Sequence, residues 1–370
     1  MKIGLIHSSK KRNERRYPVH IKHLKQLKPH QLQQIIFEEG YPGLESLDTQ
    51  LLNISSREEV FNLADLLILP KPVRNDYPLF KNEQIIWGWP HSVQTPGIVD
   101  VAIKKKLTLI AWENMFDWHD NEKGAHVFHR NNELAGYASV IHGLTLAGMT
   151  AGSYGSDKKV AVIGYGSTGK GAIKALMGLG AEQISVYSRR SRSQIKTDNP
   201  RLTFKKYQVI DGLVMMEGNP AFEELREYDI IVNCILQNPL KPKTFLSRKE
   251  ALMIDHRFMI IDVSCDEGMG FEFARPTSFD KPVFHVGKVV YYGVNHSPSY
   301  FYEAASFEIS KALFPYLRHI LNYNTYLGNK VLEKAVDIAH GIIKKPEILT
   351  FQNRNRQWPH NRKRESKKEK

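Results

Sequence analysis

Short apolar runs alternate with amphipathic stretches along this chain. Lys2 to Ile6, Ala64 to Leu69, Ile85 to Trp87 and Leu107 to Trp112 are brief runs rich in Ile, Leu and Val. Runs of this kind, bounded by polar and Pro-containing loops, are the pattern of strands covered on both faces. Pro18 suits the first turn of a helix carrying Ile21 and Leu24, and Pro96 to Lys105 predicts another. Leu134, Tyr137, Ala138 and Ile141 recur at helical spacing and predict a long helix ending near Gly152. Strand patterns return at Val160 to Ile163, Ile184 to Tyr187, Leu202 to Phe204, Asp229 to Cys234, Phe258 to Val263, Val283 to Val286 and Val289 to Tyr292. Val209 to Tyr228 has no clear pattern. Ser247 to Met253 predicts a helix, as does Tyr302 to Leu321 with a kink at Pro315. Leu332, Ala335, Val336 and Ala339 predict a last one. Strands alternating with helices imply parallel α/β sheets, whose ligands gather outside the strand C-terminal ends.

One stretch sharpens this. From Lys159 to Arg190 the chain reads strand, glycine turn, helix, strand, with Gly164, Gly166 and Gly169 in G-x-G-x-x-G spacing. Such glycines permit a tight turn, close approach of backbone to a pyrophosphate, and close helix–strand packing. Ser167, Thr168 and Gly169 open the helix, where unpaired N–H groups suit a phosphate. The second strand runs into Ser188, Arg189 and Arg190, with no acid for a ribose 2′-hydroxyl. A hydroxyl followed by two guanidinium forks suits a 2′-phosphate, so NADP(H) is expected rather than NAD. The expected class is α/β with two domains, a Rossmann-type nucleotide-binding domain inserted in a discontinuous α/β catalytic domain. The expected divisions are 1–130 (catalytic), 131–295 (NADP-binding), 296–345 (helices returning to the catalytic domain) and 346–370 (a basic, disordered tail).

Composition excludes several classes. No apolar run reaches the roughly 18 residues of a membrane span, and the N-terminus lacks the apolar region of a signal peptide. With only Cys234 and Cys265, nothing demands a disulfide, and the cytoplasm is the expected compartment. Net charge is +13, and from Asn353 to Lys370 eight Lys or Arg stand against two Glu. That segment reads as solubilising, with no nucleic-acid partner expected. The remaining positive charge suits anionic small molecules.

Candidate chemistry falls in loops after strands. Arg16, Lys71 and His91 all lie there, on the ligand side of the first sheet. An Arg or Lys can hold a carboxylate, and His is the commonest acid or base beside a carbon receiving hydride. Asp266 and Glu267 follow the last long apolar strand, beside Gly268 and Gly270. No metal-ligand spacing and no nucleophile elbow is seen.

Taken in order, these residues resemble the alanine dehydrogenase, transhydrogenase and saccharopine dehydrogenase superfamily over about residues 1 to 340. Glu14-Arg15-Arg16 is similar to its E-x-R segment, Pro70-Lys71-Pro72 to its lysine segment, and Trp87 to His91 to the strand end carrying its histidine. Ile110 to Glu113 resembles I-A-Y-E, and Ile261 to Gly268 resembles V-D-x-x-x-D-Q-G. The resemblance implies that Arg16 binds the substrate carboxylate and that Lys71 lies at the carboxylate or carbonyl. It further implies that His91 is the acid/base and that Asp266 lies near the nicotinamide. Glu113, Trp89 and His296 remain as candidates for an amino acid's head group. Gly-Trp-Pro before the histidine, Ser-Arg-Arg at the ribose and Asn295-His296-Ser297-Pro298 depart from alanine dehydrogenases. These departures are similar to the N5-(carboxyethyl)ornithine synthase branch. That branch condenses pyruvate with the side-chain amine of ornithine or lysine using NADPH, and the family implies a homo-oligomer. The alternative is an alanine dehydrogenase-like reaction with ammonia.

Overall fold

The central strands are three to five residues long and almost wholly apolar, so each is stable only when covered on both faces. The computed structural model describes residues 1–7, 9–152, 154–237 and 241–363. The chain divides into two units, 1–128 with 302–370, and 129–301.

In the first unit eight strands form one sheet. Its order is Ile342–Ile343, Val336–Ala339, Thr108–Ala111, Ile85–Gly88, Leu66–Ile68, Ile3–Leu5, Ile35–Glu38 and Asn53–Ser55. From Thr108–Ala111 onward every pairing is parallel, with Ile86 opposite Leu67 and Leu109. The C-terminal ends of these strands therefore share one edge.

Two expectations need correction here. The helical spacing of Leu332, Ala335, Val336 and Ala339 does not continue as a helix. Asn329 caps a single short helix, Lys330–Lys334, after which Val336–Ala339 pairs antiparallel with Thr108–Ala111. Val336 and Ile338 alternate with Asp337 and Ala339, and the left-handed Gly341 turns the chain into a hairpin. Nor is all of 346–370 disordered. Pro346–Phe351 is a helix whose Ile348 is fully buried, and Arg354 and Arg362 both reach Asp100. The basic residues there are anchored by an acid on the body of the unit. Residues 364–370 of the expected tail lie outside those described, as does Ser8 in the polar loop.

The second unit carries a nine-stranded sheet. Its six parallel strands, numbered within the unit, run 3-2-1-4-5-6: Leu202–Ile210, Ile184–Ser188, Val160–Ile163, Ile230–Asn233, Phe258–Asp262 and Val289–Tyr292. This is the doubly wound order, with its switch point between Val160–Ile163 and Ile230–Asn233. The segment without clear pattern completes an antiparallel hairpin and then forms a short helix, Ala221–Leu225. Leu202–Ile210 returns as Leu213–Met216 through Asp211-Gly212, at φ 50 and 82. An Asp-Gly pair with both φ positive is a strong two-residue hairpin signal. The long helix spans His129–Leu146 and stops short of Gly152 at the left-handed Gly148.

Candidate active site

In the first unit, four adjoining strand ends place four side chains. Ile3–Leu5 leads to Arg16, Leu66–Ile68 to Lys71, Ile85–Gly88 to His91 and Thr108–Ala111 to Glu113. Gly88 lets two of these ends touch. A Cβ there would lie 1.8 Å from the carbonyl oxygen of Leu69, and only its absence allows Trp89 N–H to reach Pro70 O at 2.9 Å. The Trp89 ring in turn carries the Arg16 guanidinium 5.0 Å above its centroid. Arg16 is buried and oriented by Glu14, with Nε donating to Oε1 at 2.7 Å and Nη2 to Oε2 at 2.6 Å. The Ser9 hydroxyl donates to the Lys71 carbonyl. His91 takes a left-handed φ of 48, uncommon for a residue with a side chain, and its N–H donates to Glu113 Oε1 at 2.8 Å.

These groups set one another's charge. Burial brings the Lys71 ammonium down to about 7, and Lys11 and Arg16 push the same way. Burial likewise lowers His91 to about 3, helped by Lys71, Lys11 and Arg16. The His91 side chain is still 47% exposed, so water offsets part of its desolvation. The direction decides the chemistry: the ring is neutral at pH 7. Glu113 goes the other way, lifted to about 8 by burial and then by Asp337. Its Oε2 is buried without a hydrogen-bond partner. A cationic Arg, a lysine poised between charge states, a neutral imidazole and a neutral carboxyl can hold a small carboxylate and move protons beside it.

The second unit presents a cleft of about 490 Å³ at its switch point, lined by Gly164, Gly166, Ser188, Arg189, Arg190 and Tyr207, with Lys243 across from them. The glycines play different parts. A Cβ on Gly169 would sit 2.1 Å from Gly164 O, so that glycine serves packing. Gly166 has φ −95, and a Cβ there would meet nothing within 4 Å. Neither strain nor protein neighbours demand glycine at 166, and the space it leaves open fits the approach of a pyrophosphate. Helix Ser167–Gly178 starts there without a side-chain cap, while Lys170 N–H already bonds Gly166 O. The N–H groups of Ser167, Thr168 and Gly169 are those a phosphate can take. Arg190 N–H donates to Ser188 Oγ at 3.1 Å and its guanidinium to Tyr165 O, while Arg189 bonds Tyr207. Arg192 is bound to its own loop at Ile195 O and Thr197 O. A cavity of about 580 Å³ opens at the opposite strand ends, beside Val160 and Ile184, away from these residues.

Asp266 lies in the loop after Phe258–Asp262, half-buried, its carboxyl raised by burial. The better-held acid is Asp262. It is fully buried, lifted to about 6 by burial, and accepts from Asn233 Nδ2 (3.0 Å), Cys265 N–H (3.0 Å) and Tyr291 OH (2.8 Å). Its bond to Cys265 N–H fixes a left-handed residue, φ 44, immediately before Asp266.

Residues 137–346 match the alanine dehydrogenase/PNT C-terminal domain. The chain belongs to that family. Its members are oxidoreductases that use a nicotinamide cofactor. An N(5)-(carboxyethyl)ornithine synthase of Clostridium botulinum is 27% identical over 302 residues, 77% of this chain and 80% of that protein. Another from Lactococcus lactis subsp. lactis is 28% identical over 330 residues, 85% of this chain and 94% of that protein. The fold is that of a solved L-alanine dehydrogenase, at TM-score 0.75 and 19% identity over 95% of this chain and 99% of that one. Among the described residues no helix is long and apolar enough to cross a membrane, and no group of three or more His, Cys, Asp or Glu could hold a metal ion. Within this family frame, the first unit brings Arg16, Lys71 and His91 together, while Asp266 and the glycine, serine and arginine set belong to the second. Asp262, Lys11, Tyr207 and Lys243 were not among the expected site residues, and Glu113 was expected only as a candidate for an amino acid's head group, not as the partner of the His91 backbone. Asp262 stood inside the Ile261 to Gly268 motif.

Proposed function

We propose that this protein catalyses the reductive condensation of pyruvate with the side-chain amine of ornithine or lysine, using NADPH. The observation that carries the reading is the trio at neighbouring strand ends: two cationic groups for a carboxylate and a neutral imidazole beside them. Arg16 and Lys71 hold the carboxylate of the keto acid. Neutral His91 relays two protons from the amine nitrogen to the ketone oxygen, one as the amine adds to give the carbinolamine hydroxyl and one as that hydroxyl leaves as water to give the imine. The carboxylate of the bound keto acid offsets the cations that depress His91, making the protonated ring accessible at each step. A bound nicotinamide supplies the hydride for the imine carbon. Glu113 fixes the His91 backbone, and Asp266 lies on the nucleotide side, near the nicotinamide. Ser188, Arg189 and Arg190, with no acid among them, support NADPH over NADH. The relatives named carboxyethylornithine synthase support the amine donor.

Oxidation of NADPH and of NADH with pyruvate plus ornithine, lysine or ammonia tests this. Turnover is expected with NADPH and a diamino acid. Oxidation with ammonia alone would replace the reading with an alanine dehydrogenase type.

A further inference from the structure

The nucleotide cleft of the second unit has Arg189 and Arg190 on one wall and Lys243 on the other, and among the described residues no acid lines it. The arginines at the strand end are partly committed already. Arg192, beyond them, spends its guanidinium on Ile195 O and Thr197 O. The Arg190 guanidinium donates to Tyr165 O, and that of Arg189 to the Tyr207 hydroxyl. Lys243 differs. It is half-buried, and among the described residues its ammonium has no hydrogen bond or ion pair. Its backbone, by contrast, is held at three points. Gln237, itself buried, accepts from Lys243 N–H at 2.6 Å and donates to Lys243 O at 3.2 Å. Gly270 N–H donates to the same oxygen at 2.8 Å. The cleft is thus lined by a cation with a fixed root and no internal partner.

Packing tells which end of a dinucleotide that cation serves. The open backbone at Gly166 and the start of helix Ser167–Gly178 suit the pyrophosphate. Lys243 is rooted elsewhere. Phe245, two residues on, meets the Tyr207 ring edge-on, with 5.6 Å between centroids and 69° between planes. Tyr207 in turn holds Arg189. It can do so because Leu202–Ile210 outruns its neighbour: Ser188, the end of that neighbour, pairs with Lys206, and Tyr207 lies one residue further, where the hairpin begins. A buried aromatic pair therefore ties the root of Lys243 to the arginine after Ser188, the place of the ribose 2′ position. A phosphate monoester carries about −1.5 to −2 charges at pH 7 and three acceptor oxygens, more than one shared guanidinium offsets. An ammonium on a flexible stem can supply the remainder from the facing wall.

We propose that Lys243 is a ligand of the cofactor's 2′-phosphate and a determinant of the choice of NADPH over NADH. It closes, from across the cleft, the site that Ser188, Arg189 and Arg190 open. The proposal rests on the NADPH reading above.

Calorimetric titration of NADPH and of NADH, with no second substrate present, reads binding apart from turnover. Lys243→Met keeps the apolar stem and removes the charge. It should raise the Kd for NADPH about tenfold or more, the worth of one charged hydrogen bond, and leave that for NADH near wild type. An unchanged NADH affinity also shows that the variant is folded. Adenosine 2′,5′-bisphosphate, which carries the 2′-phosphate without the nicotinamide, should lose as much affinity as NADPH does. Equal losses for NADPH and NADH would put Lys243 on the pyrophosphate and overturn the proposal. So would an unchanged Kd for NADPH in a protein whose wild type prefers NADPH; the NADPH reading would then stand without Lys243. If the wild type binds NADH as tightly as NADPH, the NADPH reading itself has failed, and the proposal falls with it.

Discussion

On the proposed reading, the two units hold an anion at strand C-terminal ends with different materials. In the second unit the holder is mostly backbone: an open space at Gly166, helix N–H groups and a loop pinned by the buried Asp262. In the first unit it is side chains whose charges depend on each other, with Lys71, His91 and Glu113 all displaced from their ordinary pKa values. A backbone site is fixed once the chain folds and changes little with pH. A side-chain cluster is tuned, and each member removed alters the others. The two should therefore fail differently.

The largest expected effect tests the tuned cluster. His91→Ala should lower turnover by about 10² to 10⁴ if the ring moves protons, with dinucleotide affinity little changed. Wild-type-like turnover would remove His91 from the chemistry. Next comes the phosphate end of the nucleotide cleft. Arg189→Asp with Arg190→Ser should weaken NADPH about tenfold to a hundredfold, the worth of one or two charged hydrogen bonds, while NADH changes little. Arg190 also holds Tyr165 O, so equal losses for both cofactors would assign the pair a structural role instead.

These two sites were not equally legible. The three glycines and the Ser-Arg-Arg run stand in sequence at fixed spacing because one turn and one strand end build that site. The strand ends bearing Arg16, Lys71 and His91 could likewise be placed from the apolar runs before them. Their charge states could not, because these depend first on burial and then on the charges of Lys11, Glu14, Glu113 and Asp337, which only the fold brings near them. Asp337 was hidden for a further reason. The same four apolar positions fit a helix, and only pairing with Thr108–Ala111 shows that the segment is a strand. Asp211-Gly212 is the reverse case, a local hairpin signal that was present and went unused.

A smaller effect separates the two uses of glycine. Gly166→Val should raise the Kd for the dinucleotide roughly tenfold or more while leaving thermal stability near wild type, since no protein atom lies within 4 Å of the new Cβ. Gly169→Ala should do the opposite first. Its Cβ would lie 2.1 Å from Gly164 O, and backbone must move, at a cost on the order of 1–3 kcal/mol of stability. A Gly166→Val protein that melts as early as Gly169→Ala would make 166 a packing position and undercut the pyrophosphate cradle.

The subtlest test is the pH dependence of pyruvate binding in the absence of any amine. Lys71 titrates near 7, so its charge, and the attraction it offers a carboxylate, is present below that pH and lost above it. Glu113 titrates near 8, passing from neutral to negative, and so adds repulsion over the next unit. Both changes run the same way, and the Kd for pyruvate should rise from pH 6 to pH 9. Lys71→Arg fixes the first charge and should remove the rise centred near 7 while keeping the one near 8. Glu113→Gln should do the reverse. If the profile of Lys71→Arg superimposes on that of wild type, Lys71 is not a carboxylate ligand. Arg16 would then hold the anion without Lys71, and the first unit, like the second, would not depend on a tuned lysine.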